Sequence, residues 1–228
     1  MSLPAASLLH LLQLASPSLP VGAYSYSQGL EAAIENGLVK TEASAREWIV
    51  DMLHEVMAHF EAPLLWRLLQ AFAARDATAV SHWTAIFIAS RESAEFRAET
   101  IQMGYSLGKL VGELKICDAT LLALLESQTD IPFPTALAAA SVALAVPAEA
   151  ALLGMLFSWA ENQVLVCVKS VPLGQVSGQR LLLSLHTELE AAAQTAQMLA
   201  DDELSNWAPG LSLFSMQHEV QYSRLYRS

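Results

Sequence analysis

Apolar residues recur along this chain at intervals of three and four, and stretches that alternate every second position are scarce. That is the period of an amphipathic helix, not of a half-buried strand, and Ala and Leu, which dominate the runs, are strong helix formers. The pattern predicts a first helix over Ala5–Leu14, then an irregular loop over 15–23 punctuated by Pro17, Pro20 and Gly22. Helix resumes near Tyr24 and stops at Asn36 and Gly37, where glycine suits a left-handed C-terminal cap. Thr41 and Ser44 both stand where the next helix needs a cap, and Ser44 with Glu47 has the spacing of a capping box. Trp48, Met52, Val56, His59 and Phe60 continue at helical spacing up to Pro63, which should kink or break the rod. A further helix runs to about Arg75, Asp76 can cap a segment carrying Trp83 and Phe87, and a long helix covers 93–114.

Within that long helix Gly104, Gly108 and Gly112 fall every four residues and line one face. Each costs about 1 kcal/mol of helix propensity relative to Ala, so the stripe predicts a backbone packed close against it, inside the domain in preference to a partner groove. Helices follow over 119–127, 135–145 and 148–168, then a turn at Pro172-Leu173-Gly174, then a last long helix over 175–199. From Ala200 onward the chain opens acidic, passes Pro209-Gly210 and ends with Arg224 and Arg227, which predicts a mostly extended, poorly packed tail. No internal repeat interrupts the sequence. The expected fold is all-α: a single-domain bundle of about eight to ten helices over 1–200, with a flexible C-terminal partner-binding tail over 201–228.

Composition sharpens this. Of 228 residues 54% are hydrophobic and only 15% charged, against about 25% charged in typical soluble domains. Mean hydropathy is +0.36, so the chain either enters a membrane or covers much of its surface with itself and partners. The uncharged stretch 131–148 is Ala-rich and broken by Pro132, Pro134 and Pro147, with Glu149 and Glu161 close behind. A spanning helix needs about 20 strongly apolar residues, so no membrane span is expected. No basic segment precedes the first apolar run, which argues against a signal peptide. The formal charge of −11 and the missing basic stripe exclude an ordinary nucleic-acid binder. Cys117 and Cys167 stand alone and read as buried thiols of a cytoplasmic protein.

Motifs for chemistry are lacking. No phosphate-binding GxxxxGK[ST], GxGxxG or GxSxG occurs, so no nucleotide or other cofactor is expected. His54 and His59 sit on different helix faces, and Glu55 with His59 offers too few ligands for a tight metal site. Glu161-Asn162-Gln163 lies inside an apolar helix, where buried polar groups need partners. It reads as an internal amide or Glu161–Lys169 network, or as a patch facing a partner. Gln175 and Gln179, one turn apart, form a solvated face or bond another backbone. The ending QHEVQYSRLYRS, 217–228, is less easily dismissed: Tyr and Arg are the types enriched at interface hot spots. It predicts a tail that orders when a partner docks, and hence a docking protein and not an enzyme.

Four stretches carry a family resemblance: LASPSLPVGAYSYSQGLE (14–31), ETIQMGYSL (99–107), KSVPLGQVSGQ (169–179) and HEVQYSRLYRS (218–228). In this order they resemble the UreF family of urease accessory proteins over essentially the whole chain, although that family usually has Phe where Tyr226 stands. The resemblance implies an all-α, usually homodimeric protein that binds a UreD-type (UreH-type) accessory protein. Together these recruit the nickel-carrying GTPase UreG to apo-urease, whose active-site lysine is carbamylated. It further implies partner contact through Gln221, Tyr222, Ser223, Arg224, Leu225 and Arg227, with Lys169, Gln175 and Gln179 beside them. Ser16, Pro17, Pro20, Gly22, Ser27, Gly29, Glu31, Glu99 and Gly104 are implied as family signature, with no role in folding or binding assigned. Two alternatives stay open: regulation of the GTPase, with Arg224 or Arg227 acting as an arginine finger or the protein lending part of a nickel path, and a helical metalloenzyme using His54, Glu55, His59 or His218.

Overall fold

The computed structural model describes residues 3–171 and 173–227; Pro172 of the expected turn and Ser228 at the chain end lie outside the described residues. Helix follows the apolar period almost throughout, and no strand forms among the described residues. In chain order the α-helices are α1 (Ala5–Leu14), α2 (Leu30–Glu35), α3 (Glu42–Met52), α4 (Ala62–Ala74), α5 (Ala77–Ala89) and α6 (Ala94–Leu114). They continue with α7 (Ala119–Glu126), α8 (Phe133–Ala143), α9 (Ala148–Ser170), α10 (Gln175–Ser184), α11 (His186–Met198) and α12 (Pro209–Glu219).

The centre is built by α4, α8 and α9. Leu65, Leu68 and Phe72 of α4, Ala136 to Ala140 of α8, and Leu152, Leu156 and Ala160 of α9 are all buried. Small side chains on α8 let α4 and α6 approach closely on either side. The uncharged stretch 131–148 is therefore spent on the core. One helix, α9, is long and apolar enough to cross a membrane by length and composition alone. Half of its apolar window is already buried in the bundle, and its Glu161, Asn162 and Gln163 meet the chain's own loop.

Local departures have local causes. The helix expected from Tyr24 is a single 3-10 turn, Ala23–Ser25, after which Gln28 (φ 55°) and Gly29 (φ 81°) turn left-handed and delay α2 to Leu30. The cap of α3 is reciprocal between Thr41 and Ser44: the Thr41 hydroxyl accepts from the Ser44 N–H at 3.2 Å, and the Ser44 hydroxyl from the Thr41 N–H at 3.0 Å. Pro63 does not break the rod. A π-helical stretch, Leu53–Glu61, joins α3 to α4 and leaves Pro63 in the first turn of α4. Having no N–H, Pro63 deprives the His59 carbonyl of its usual donor, and Ser205 donates to that carbonyl instead at 3.1 Å. The helix expected over 175–199 divides at buried Leu185 into α10 and α11.

The largest departure is the tail. It is not mostly extended: a 3-10 turn at Asp201–Glu203 leads to α12, which packs on α2 and α6. Phe214 meets Trp48 edge-on with ring centroids 5.6 Å apart, and the buried Ser93 and Ser215 hydroxyls lie 2.6 Å apart. Splitting of the 175–199 helix and the new α12 raise the helix number above the expected eight to ten.

A candidate docking surface where the chain ends meet

The loop over 22–31 would be unstable alone, since a buried loop must find partners for its backbone polar groups. It finds them on α9 and in the tail. Asn162 donates to the Tyr26 carbonyl at 2.8 Å, and Gln163 to the Ser27 carbonyl at 3.4 Å. Tyr24 donates through a short bond to Glu161. Trp159 donates its indole N–H to Gln28 at 2.8 Å, and Gln28 donates to Glu99 at 2.6 Å. Glu161-Asn162-Gln163 is thus an internal network, formed with the loop and not with Lys169. Burial, and then the bond to Glu161, push the Tyr24 hydroxyl well above its ordinary range. Tyr26 is raised by burial and by the charge of Glu99, against an opposing hydrogen bond with Arg227.

Glu31, at the start of α2, is 6% exposed and gathers the C-terminal segment. Its carboxylate accepts the Leu225 N–H at 2.7 Å and the Tyr226 N–H at 3.1 Å, while His218 Nε2 lies 2.9 Å away. The other ring nitrogen of His218, which is completely buried, lies 2.9 Å from Glu95. Glu95 in turn accepts from Arg224 at 2.7 Å. The Arg227 N–H donates to the Ser25 carbonyl at 2.8 Å. Tyr226 is buried under this arrangement, with Lys169 Nζ 5.5 Å from its ring centre. Burial first, then the Glu31 charge and Cys167, push the Tyr226 hydroxyl up to about 12.

The outer side of the same segment is different in kind. Tyr222 is fully exposed and Leu225 is 73% exposed; Met216 and Leu213 of α12, Val220 just after it and Trp207 before it are exposed as well. Lys169 and Arg227 flank a shallow notch together with Tyr24, Ser25, Leu225 and Tyr226, and neither forms an ion pair among the described residues. The result is a set of exposed apolar side chains beside two cations, Lys169 over the Tyr226 ring and Arg227 against Tyr26, on a protein of net charge −11. Such a surface can hold another polypeptide.

Of the residues expected at a partner site, Lys169, Leu225 and Arg227 line one notch, Arg224 is bound to Glu95 and the His218 carbonyl, and Tyr222 and Ser223 are exposed in the same segment. Gln221 is half-buried there and donates to the Ser223 carbonyl at 3.4 Å. Gln175 and Gln179 lie exposed on α10 and make no hydrogen bond to the tail among the described residues. The signature residues divide. Ser27, Gly29, Glu31 and Glu99 are buried under the tail or beside the loop, whereas Pro17, Pro20 and Gly22 are exposed and Ser16 hydrogen-bonds Ser18 at 2.7 Å. Gly104 belongs elsewhere: a Cβ there would lie 1.9 Å from the Ile131 carbonyl oxygen, so it lets α6 touch the 131–132 backbone. The tail contacts of Glu95 and Ser93 were missed because nothing local marks them: Ser93 also caps α6, and its Ser215 contact and the His218 and Arg224 contacts of Glu95 come from the tail. His54 bonds Glu188 at 3.0 Å, and among the described residues no three His, Cys, Asp or Glu side chains gather as for a metal ion.

The family model for UreF matches residues 39–186. The chain is 77% identical over 224 residues to the urease accessory protein UreF of Janthinobacterium sp. (strain Marseille), covering 98% of this chain and 99% of that one. It is 68% identical over 222 residues to the protein of the same name from Nitrosospira multiformis, covering 97% and 98%. The corresponding protein of Azoarcus sp. (strain BH72) is 52% identical over 228 residues, covering 97% and 95%. Full-length likeness of this degree places the protein: it belongs to the UreF family of urease accessory proteins.

Proposed function

We propose that this protein is a non-catalytic chaperone and scaffold of urease maturation in the cytoplasm. As a homodimer it holds a UreD/UreH-type accessory protein and recruits the GTPase UreG, so that nickel is inserted into apo-urease. The observation that carries this reading is the tail, where Tyr222, Leu225, Val220 and Trp207 are exposed while the backbone at Leu225 and Tyr226 is fixed by Glu31. Large exposed apolar and aromatic groups on a fixed backbone are what a protein interface needs, because little ordering entropy remains to be lost on binding. Lys169 and Arg227 add a local positive charge that favours an acidic partner surface.

The test is co-purification with the UreD-type protein. Removal of 217–228 should abolish capture while far-UV circular dichroism shows the helices intact. Capture at full strength by the truncated protein would remove the reading. A second reading, regulation of UreG, is favoured by Arg227, which is exposed and pairs with no carboxylate among the described residues. Single-turnover GTP hydrolysis with and without this protein separates the two: a scaffold leaves the rate unchanged, whereas an arginine finger raises it by about 10³-fold or more and loses that effect on Arg227→Ala.

A further inference from the structure

The N-terminal signature stretch contributes little to the exposed surface, yet Ser25, Gly29 and Glu31 all touch the tail. Glu31 spends both carboxylate oxygens on the tail: one on the Leu225 N–H, the other on the Tyr226 N–H and His218. Ser25 accepts from the Arg227 N–H. Gly29 makes room: a Cβ there would stand 3.1 Å from Leu211 Cδ1 and 3.4 Å from Phe214 Cβ, so α12 packs close against the loop and any larger residue would make its neighbours give way. The loop at Gly29 is left-handed, which further favours glycine. On the tail side, completely buried His218 bridges Glu31 and Glu95, and Arg224 closes over Glu95. These contacts are spread along the segment, and all but that of Arg224 are made from its inner side.

We propose that the signature loop is the internal seat of the C-terminal docking segment, and that Glu31 and His218 are positioning residues for partner capture. This rests on the reading that the segment docks a UreD-type protein, and it assigns the signature to presentation of the interface. Neither Glu31 nor His218 reaches the surface, so neither touches the partner. They hold Leu225 and Arg227 where the partner meets them. An unseated segment must be ordered at the moment of binding, and that ordering weakens the complex.

Two measurements on the full chain test the proposal. Hydrogen exchange at the Leu225 and Tyr226 amides reads the seat without any partner, and titration with the purified UreD-type protein reads capture. In Glu31→Gln and in His218→Asn both amides should exchange at least about tenfold faster, with α8 and α9 unchanged, and affinity should fall at least about tenfold, as expected for loss of a hydrogen bond to a charged group. Amides that stay slow, or fast amides with undiminished affinity, would overturn the proposal. Should both buried variants unfold, Arg224→Gln cuts only the surface arm to Glu95 and the His218 carbonyl; its Leu225 amide must still exchange faster, or the seat is wrong. Full-strength capture by a chain lacking 217–228 would instead sink the functional reading, and the exchange result stands apart from that outcome.

Discussion

Cys167 and Tyr226 lie together under the docking segment, and burial acts on both acids in the same sense. The Cys167 thiol is pushed from 9.0 to about 12 by burial, and the Tyr226 hydroxyl from 10.0 to about 12. Both values are raised in the folded state, so the native protein keeps these protons longer than the unfolded chain does. The stability they contribute is fully present below pH 9.0 and is lost as pH rises toward 12. The urea midpoint should therefore fall over that alkaline range, and Cys167→Ala should flatten the fall. A thiol reagent should label Cys117, which is half-buried, before Cys167. The sequence led us to expect two buried thiols, and one of them is. The glycine stripe teaches the same lesson. Its existence was legible, but not which member matters: Gly104 faces the Ile131 carbonyl, whereas nothing lies within 4 Å of a Cβ at Gly112. Gly104→Ala should destabilise by about 1–3 kcal/mol through forced backbone movement, while Gly112→Ala should stabilise by up to about 1 kcal/mol through helix propensity. Thermal melts of the two variants decide this, and equal effects would contradict the packing described.

At the scale of elements, Ser93 shows what a cap can conceal. Its hydroxyl accepts the Phe96 N–H at 3.1 Å, as a helix-opening serine should, and it also lies 2.6 Å from the Ser215 hydroxyl on α12. Ser93→Ala should cost about 1–3 kcal/mol, because the cap is lost and a buried hydroxyl is left without this partner. In the Ser93→Ala, Ser215→Ala double variant the two losses should add to less than their sum, and strict additivity in chemical denaturation would deny the contact between α6 and α12. Most elements were legible because their apolar period is long: α1 begins and ends where expected, and α6 and α9 nearly so. The π-helical stretch was not, since it changes hydrogen-bond register without changing composition. α12 was hidden for another reason. Its Pro209-Gly210 opening reads as a turn, and a helix of 11 residues owes its stability to what it packs on. Here those neighbours are Gly29, Trp48 and Ser93, more than a hundred positions away along the chain.

For the whole molecule, the consequence is that the first and last parts of the chain share one set of bonds. The candidate surface was legible as a set of residue types in 217–228, but its inner face was not, because Glu31 and Tyr226 are 195 residues apart in sequence and nothing local announces their meeting. A buried carboxylate that accepts two N–H groups and faces an imidazole is stabilised by its partners; stripped of them it would be a cost, unless water reaches it. The tail is also the lid that keeps water from Glu31. Removing 217–228 takes away partners and lid together, so the carboxylate becomes solvated and its identity stops mattering. Glu31→Gln should therefore lower the stability of the full chain by about 1–3 kcal/mol and leave that of the truncated chain nearly unchanged. The difference between those two effects, read from urea melts of the four proteins, is the free energy that couples the two ends of the chain. A Glu31→Gln cost that persists undiminished after truncation would mean that Glu31 serves the helical core alone and holds no tail.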